Sequence, residues 1–552
     1  MIEQAAPLSF GQEALWLAEE LVPGGLSSYV MLAGWELTGA VDAVALERAL
    51  GAVVDRHEVL RCALGSGGAV VRADVPCGLR HVLVDDPALL PGAARAALRR
   101  DLDRPFDLAA PPLLHATLCS AGAARHVLVV TTHHSVWDGT SDTLFRRELA
   151  ALYSRYRGGA APDLPELAVQ YGDFAAWQRD EAGELISAEL AYWGPRLART
   201  TASELPPDRP RPALRRFTAR FRVAELDPAL AGGVQELARA AGVTPFVVLL
   251  AAFDVVLARW SNRVEAVVGT PVSARDQPEL APLLGYFVNN VVLATSCAPG
   301  DSVTELLTRV HADVATAFSR ATAPFHQVVE RVNPVRDRGR HPLYQIAFQV
   351  DSEPEPLRLA GATAREISDE LAAELPVGTE FDLLAAVRTR PRGGWSLSLR
   401  YAAELHDAAT IDEFAACFAL VLEEMIAAPW RALADLPAQP PPRLDSAPFG
   451  AIPAATPVVA VAEPGAVTDL HRRIARIWAE QLNRPQVGLD DSFFELGGSS
   501  LLAAYTARAM KAELGVELGL VDLFEADTVN GVVEFLASAA MPCHLPDDRP
   551  NR

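Results

Sequence analysis

The stretch that decides the fold is His133-His134-Ser135-Val136-Trp137-Asp138-Gly139. It follows the apolar run Val127-Leu128-Val129-Val130, whose β-branched residues predict a buried strand. The two histidines therefore stand where a strand ends and a loop begins. Because neighbouring side chains on a strand point to opposite faces, only one histidine can easily face a given cavity. This geometry disfavours a metal site built on the pair and favours one working histidine beside one structural histidine.

Length and charge limit the class of protein. The chain has 552 residues, which predicts about three or four domain-sized units. Its formal net charge of -21 makes a nucleic-acid partner unexpected, since such a footprint is basic. The six cysteines are scattered without a C-x-x-C pair, and the start lacks the basic region of a signal peptide. We therefore expect reduced thiols and a cytoplasmic location.

The longest apolar run, residues 246–256, is the one candidate for a membrane span. Asp254 interrupts it, and Thr244-Pro245 before it is typical of a helix N-cap followed by a first-turn proline. The pattern predicts a buried core helix, and no membrane partner is expected.

Helical and strand patterns alternate from Leu8 to about Trp430. Leu46, Leu50, Val53 and Val54 define one helix face that ends near residues 56–58, and residues 264–270, 343–350 and 395–401 predict strands. Eight prolines then fall between Leu436 and Gly465 and predict a semi-extended linker. Beyond it an amphipathic helix carries Leu470, Ile474, Ile477, Trp478 and Leu482, and a loose tail closes the chain.

A second motif, DSFFELGGSSL, occupies residues 491–501. Its paired glycines and the helical run after them place a serine at a helix N-terminus. That end carries unsatisfied N–H groups and the positive end of the helix dipole, so it suits a phosphate ester. The plain alternative is an ordinary N-cap serine. The two phenylalanines and the following amphipathic helix favour the functional interpretation.

This second motif resembles the core motif of peptidyl carrier proteins of non-ribosomal peptide synthetases, Leu-Gly-Gly-x-Ser-Leu, and residues 468–537 resemble the whole domain. The resemblance implies that Ser500 carries covalent 4′-phosphopantetheine, installed by a phosphopantetheinyl transferase. Ser499 departs from the usual Asp or His before that serine, which removes a charge beside the arm.

Residues 6–430 resemble a condensation domain of the same systems. The match consists of the histidine motif and further signatures in chain order: SFGQEALW at 9–16, RHEVLR at 56–61, YGDFAAWQR at 171–179, VGTPVSAR at 268–275, GYFVN at 285–289, PFH at 324–326 and HPLYQ at 341–345.

The resemblance implies the fold class and the domain limits. We expect an α/β (α+β) condensation domain of two chloramphenicol-acetyltransferase-like halves in a V, followed by a small all-α four-helix carrier domain. The expected limits are 1–178 and 179–435 for the two halves, 436–466 for the linker, 467–540 for the carrier domain and 541–552 for a disordered tail.

The resemblance also implies roles for the motif residues His133, His134, Asp138 and Gly139. His134, the second histidine, would act as the base or stabilise the tetrahedral intermediate, whereas His133 would hold the loop. Asp138 would pair with Arg275, and Gly139 would permit close approach of the backbone to the reacting groups. A satisfied core histidine is the plain alternative for His134. A Ser-His-Asp hydrolase lacks its Gly-x-Ser-x-Gly elbow here.

Two residues depart from the family pattern beside the expected reaction centre. Trp137 fills a position that is often small or polar, and Thr140 stands where an aromatic residue commonly follows Asp-Gly. Both are therefore candidates for lining the substrate tunnel.

The domain order implies the partners. Without an adenylation domain between its two parts, the chain would be loaded in trans by a stand-alone adenylation enzyme. An upstream carrier protein would deliver the donor acyl group, and a downstream synthetase domain or thioesterase would take the product. Three alternatives stay open: ester formation or another modified condensation, epimerisation, which the final position of the carrier disfavours, and a silent platform that recruits partner enzymes to the carrier.

Overall fold

The computed structural model describes residues 5–21, 29–104, 106–160, 163–180, 182–212, 218–333, 339–372, 377–390, 394–440, 468–482, 484–493, 496, 500–516, 518, 522–523 and 526–539. The chain divides into a larger unit, Met1–Ala14 with Leu26–Gly450, and a smaller unit, Leu15–Gly25 with Ala451–Arg552. The predicted linker beyond residue 440 and the predicted tail lie outside the described residues.

The described strands are β1 (Ala5–Ala6), β2 (Val30–Gly39), β3 (Cys62–Gly65), β4 (Gly68–Val71), β5 (Leu79–Leu83), β6 (Leu114–Ala121), β7 (Arg125–His133), β8 (Thr218–Glu225), β9 (Glu265–Ser273), β10 (Val288–Ser296), β11 (Ile346–Ser352), β12 (Ala362–Glu366), β13 (Val377–Gly378), β14 (Leu383–Thr389) and β15 (Ser396–Ala402).

The described helices are α1 (Phe10–Leu21), α2 (Ala43–Arg56), α3 (Leu90–Asp103), α4 (Gly139–Tyr156), α5 (Tyr171–Asp180), α6 (Gly183–Leu197), α7 (Pro228–Ala241), α8 (Pro245–Trp260), α9 (Val303–Phe318), α10 (Phe325–Val332), α11 (Ser368–Ala372), α12 (Ala408–Ala427), α13 (Asp469–Gln481), α14 (Ser500–Leu514) and α15 (Val529–Ala539).

A five-stranded sheet, in the order β12-β2-β7-β6-β5, carries the histidine motif. The predicted strand is confirmed as β7, whose residues from His126 to His133 are all buried. One side of the sheet packs on α3, where Leu90, Ala94 and Leu98 form a cluster with Val127 and Val129. Because β7 is the central strand, its end is fixed by hydrogen bonds on both sides.

A seven-stranded sheet, in the order β10-β9-β11-β14-β15-β8-β13, forms with its helices the largest apolar core of the larger unit. Helices α7, α8, α9 and α12 supply most of the core residues outside the strands. The predicted core helix is confirmed as α8, with Pro245 in its first turn and the Thr244 side chain accepting from the N–H of Val247. The three remaining strands form a small sheet in the order β1-β4-β3.

The described helices and cysteines can be compared with the expectations about a membrane span and about reduced thiols. No single described helix is long and apolar enough to cross a membrane; α7 and α8 pass that test only as a pair, bent by 104° at their break. Of the six cysteines, the five in described residues are free thiols.

Other local predictions also agree with the structure. The four residues that defined the first helix face are fully buried on α2, which ends at Arg56. The strand predicted over 343–350 begins only at Ile346, because Leu343 has a φ of 69° and cannot continue a strand. In the smaller unit, α13 buries Ile474, Ile477 and Trp478, as its amphipathic pattern predicts.

Candidate active site

The site begins where β7 ends. The chain leaves the strand at His133, makes one short 3-10 turn from His134 to Val136, and enters α4 after Asp138, its N-cap. Only His133 lies on the strand, whereas His134 begins the turn, so the two histidines have different surroundings because of the turn and not because of the strand alternation that the sequence analysis used.

His134 is half-buried, and its protonation is determined by one hydrogen bond. Its Nδ1 lies 2.6 Å from the carbonyl oxygen of Trp137. A carbonyl can only accept, so Nδ1 carries the proton and Nε2 of the neutral ring is left with a lone pair. Burial lowers the pKa of His134 from its usual value of 6.5, although the Trp137 carbonyl and the charge of Asp138 act in the opposite direction. Near neutral pH the ring is therefore uncharged and its Nε2 is a proton acceptor.

His133 is buried and has the opposite arrangement. The backbone N–H of Ser135 donates to its Nδ1 at 3.1 Å, and the Ser135 hydroxyl lies 2.7 Å from the same atom. The rings of Tyr29 and Phe106 contact it edge-on at 6.1 Å between centroids. Its Nδ1 thus closes the 3-10 turn.

Asp138 is a buried carboxylate, and both of its oxygens accept more than one hydrogen bond. Its Oδ1 accepts from the N–H of Ser141 at 2.7 Å, from the Ser141 hydroxyl at 2.8 Å and from Arg275 Nη2 at 3.0 Å. Its Oδ2 accepts from the same Arg275 nitrogen at 3.1 Å and from the N–H of Phe287 at 3.2 Å. A carboxylate so engaged cannot also orient a histidine as the acid of a triad.

Arg275 joins the loop to a distant part of the sequence. It donates through Nη1 to the carbonyls of Leu280 and Leu283, at 2.8 and 2.7 Å, and its guanidinium lies 3.9 Å from the centroid of the Phe287 ring. The Ser141 hydroxyl adds a second link, accepting from the N–H of Gly285 at 3.0 Å. The start of α4 is thereby held against the segment between β9 and β10.

Tyr286 is a site residue that the sequence argument did not single out. Its ring meets the His134 ring edge-on at 4.8 Å between centroids. Its backbone carbonyl accepts from the Tyr171 hydroxyl at 2.6 Å, and that hydroxyl also contacts Ser9 Oγ at 2.8 Å. A Cβ at Gly11 would lie 2.7 Å from the Tyr286 ring, so a glycine is needed there. The only sequence signal was the place of these residues in the quoted signatures.

The remaining motif residues, Gly139, Thr140 and Trp137, differ in solvent exposure. Gly139 and Thr140 are exposed, and a Cβ at Gly139 would meet no described atom within 4 Å. No neighbour in the described chain therefore requires glycine at this position, and the space beside it is open. The Trp137 side chain is 3% exposed and packs edge-on against Phe145, so this residue reaches the site mainly through its carbonyl.

Two other histidines of the quoted signatures, His57 and His326, each lie next to a glutamate. His57, buried at the end of α2, has its Nε2 2.8 Å from Glu148 Oε2 and accepts at Nδ1 from the N–H of Leu284 at 3.4 Å. His326 lies 3.7 Å from Glu13 Oε2, and burial lowers its pKa to about 4.

In the smaller unit, Ser500 is the first residue of the 15-residue helix α14. A hydroxyl residue at the first turn of a helix of this length fits the attachment of a phosphate ester, for the dipole reason given above. Its neighbours Gly497, Gly498 and Ser499 lie outside the described residues.

These features define a two-part chain: a mixed α/β unit with a histidine loop, and a helical unit with a serine at a helix start. Residues 2–440 match the family model described as Condensation domain, and residues 472–536 match the model of the Phosphopantetheine attachment site. The chain therefore belongs to the condensation-domain family. Its C-terminal part is a domain that carries covalent 4′-phosphopantetheine on a serine.

Known relatives agree with this assignment. The chain is 35% identical over 439 residues to phosphinothricin tripeptide synthetase PhsC of Streptomyces viridochromogenes and 34% identical over 438 residues to chondramide synthase cmdD of Chondromyces crocatus. Each match covers 78% of this chain but only 40% and 11%, respectively, of the relative's length.

Solved structures confirm the predicted fold class. The X-domain in its complex with OxyB from teicoplanin biosynthesis is 27% identical, with a TM-score of 0.69 over 79% of this chain and 96% of that chain. The four-domain nonribosomal peptide synthetase AB3403 is 21% identical, with a TM-score of 0.69, and covers 92% of this chain and 39% of that chain; this likeness concerns the fold alone.

Proposed function

We propose that the chain forms an amide bond between a donor acyl or peptidyl thioester on an upstream carrier protein and an aminoacyl group on its own carrier domain. The observation that carries the proposal is the hydrogen bond from His134 Nδ1 to the Trp137 carbonyl. It leaves Nε2 of a half-buried, neutral ring able to accept a proton. A fixed tautomer whose Nε2 is unprotonated near neutral pH can accept a proton from an attacking amine.

The reaction balances with the groups available. The amine nitrogen of the acceptor attacks the donor thioester carbonyl, a C–N bond forms and the C–S bond breaks. His134 Nε2 takes the proton that the amine loses and returns it to the departing sulfur. General base catalysis of this kind contributes about 10²- to 10⁴-fold in rate. The edge-on ring of Tyr286 would keep the imidazole in the orientation that this transfer needs.

The remaining motif residues would act by position. Asp138 and Arg275 would hold the loop, His133 would close the turn, and Gly139 with Thr140 would border the passage for the substrates. Trp137 would act through its carbonyl, in place of the side-chain contact with substrate that the sequence analysis expected. We retain the domain limits of the sequence analysis as part of this proposal, including the division between residues 178 and 179.

Ser500 would hold the 4′-phosphopantetheine arm, whose thiol supplies the thioester linkage. We propose that a stand-alone adenylation enzyme loads the arm in trans, that a phosphopantetheinyl transferase installs it, and that a downstream synthetase domain or thioesterase receives the product. The free cysteines of the described chain support a cytoplasmic setting.

Intact-protein mass spectrometry tests this proposal. The chain is converted to its pantetheine form, loaded with an aminoacyl group and mixed with an acyl-loaded donor carrier. We expect the donor acyl mass to appear on this chain. Mild base then cleaves the thioester to the arm, and the released product should keep its donor–acceptor bond if that bond is an amide and lose it if it is an ester. Ser500→Ala should carry no arm. Absence of transfer from every donor class tried, with loading intact, would contradict the proposal.

A second candidate is a recruitment platform, favoured by the likeness to the X-domain crystallised in complex with OxyB. Under this hypothesis the larger unit binds a partner enzyme that acts on the carrier-bound group. Size-exclusion chromatography with enzymes encoded beside this chain separates the candidates: a stable complex without acyl transfer supports the platform, and transfer without a complex supports condensation.

A further inference from the structure

A second concavity of about 290 Å³ lies in the larger unit, where β15 ends and the chain turns into α12. It borders β8 and β15, at the opposite end of the seven-stranded sheet from β9 and β10, which flank the segment held by Arg275. The residues that give it its chemistry are Arg209, Arg220, Arg222, Tyr401, His406 and Asp407.

The lining is cationic although the whole chain is acidic. Three guanidinium groups face one carboxylate. Arg209 pairs with Asp407, and Arg222 Nε lies 3.1 Å from Asp412 Oδ1. Arg220 makes no ion pair within the described part of the chain. Among the described residues, at least one guanidinium of the cavity therefore has no carboxylate paired with it.

His406 is the second, independent sign of a ligand. Its side chain is 2% exposed, it lines the cavity, and its Nδ1 has no hydrogen-bond partner among the described residues. A buried polar atom left without a partner costs free energy, so proteins normally provide one. Burial also lowers the pKa of His406, so the ring is neutral and can donate from one nitrogen.

The start of α12 borders the same cavity. Asp407 is its N-cap residue, yet the Asp407 side chain makes no hydrogen bond to the first turn of this 20-residue helix. Its carboxylate instead pairs with Arg209. The helix start is not free, because Asp208 Oδ2 accepts from the N–H of Asp407 at 2.7 Å and Asp208 Oδ1 accepts from the Thr410 hydroxyl at 2.8 Å. The donors that the cavity offers are therefore its side chains.

We propose that this cavity binds the phosphate group of a small phosphate monoester. A tetrahedral dianion accepts several hydrogen bonds at once, and guanidinium groups bind it through paired N–H donors. Arg220 supplies the uncommitted charge, while His406 and the Tyr401 hydroxyl supply neutral donors. The volume is at the lower end of the range for ligand pockets, which limits the ligand to a small metabolite. The site is independent of the condensation reaction.

Isothermal titration calorimetry of the full chain with glycerol 3-phosphate, at constant physiological ionic strength, tests the proposal. We expect saturable binding to one site, weakened about tenfold or more by Arg220→Ala, since a hydrogen bond to a charged group is lost. His406→Gln should weaken it as well, and circular dichroism checks that this variant folds. Glycerol, which lacks the phosphate, should not bind.

Arg125→Ala is the matched control, because Arg125 is an exposed, ion-paired arginine on the five-stranded sheet. It removes the same charge and should leave binding unchanged. The proposal fails if wild type does not bind, if Arg220→Ala binds as wild type does, or if Arg125→Ala weakens binding equally. Acetate bound as tightly as glycerol 3-phosphate would also overturn it.

Discussion

Two buried aspartates, Asp138 in the histidine loop and Asp254 in α8, have opposite surroundings. Asp138 accepts from Arg275, Ser141 and the N–H of Phe287. Asp254 has no ion pair among the described residues, and burial raises its pKa well above the usual value, an effect that Thr295 offsets only in part. A buried carboxylate that positions a site needs a cation and several hydrogen-bond donors, which Asp138 has, whereas burial without a cation favours the neutral form, as at Asp254.

The largest expected effect on stability comes from breaking the Asp138 pair. Arg275→Met leaves the buried carboxylate without its cation, and we expect the free energy of unfolding to fall by about 3–5 kcal/mol. Arg125→Met, which breaks an exposed pair with Glu36, should cost at most about 1 kcal/mol. Urea denaturation of both variants measures the difference. Equal losses would mean that the Asp138 pair does not hold the loop.

Asp254 should respond in the opposite direction. Its raised pKa means that the folded state favours the protonated form, so this stability is present at low pH and is lost as pH rises through the folded-state pKa. Asp254→Asn cannot ionise and should stabilise the protein at neutral pH by about 1–3 kcal/mol. Thermal melts at several pH values measure it, with exposed Asp74→Asn as the control. A lower melting temperature at neutral pH would contradict this view of α8.

A smaller effect concerns the hydroxyl that completes the Asp138 network. Ser141→Ala leaves the buried N–H of Gly285 without its acceptor, which should cost about 1 kcal/mol. The matched control is Ser187→Ala on α6, where the exposed hydroxyl donates to the Gly183 carbonyl. A Ser141→Ala variant as stable as Ser187→Ala would show that Arg275 alone fixes the loop.

The smallest effect is a shift along the pH axis. Because burial lowers the pKa of His134, its neutral form persists below the usual value of 6.5. The single-turnover transfer rate should therefore rise with pH and level off, with a midpoint below about 6.5. A midpoint above that value would indicate that His134 is stabilised as a cation.

The sequence predicted the local structure and the catalytic histidine from different kinds of signal. Strand β7 and helix α8 have local signals, namely an apolar β-branched run and a Thr-Pro cap. The family motif indicated His134, whereas the turn that starts at His134, and not strand alternation, separates the surroundings of the two histidines. The edge-on contact of Tyr286 with His134 joins residues 152 positions apart, and no local pattern specifies it. The cavity at His406 could not be predicted either, because its lining residues come from β8 and, far away in the sequence, from β15 and the start of α12.

The central claim, that His134 accepts the proton during acyl transfer, is tested most directly by single-turnover transfer with His134→Ala. Both proteins are loaded to the same extent, and the donor acyl mass on the carrier is followed with time; His311→Ala, an exposed histidine on α9, is the control. We predict a rate about 10²- to 10⁴-fold lower for His134→Ala and unchanged for His311→Ala. Transfer by His134→Ala at the wild-type rate would contradict the claim.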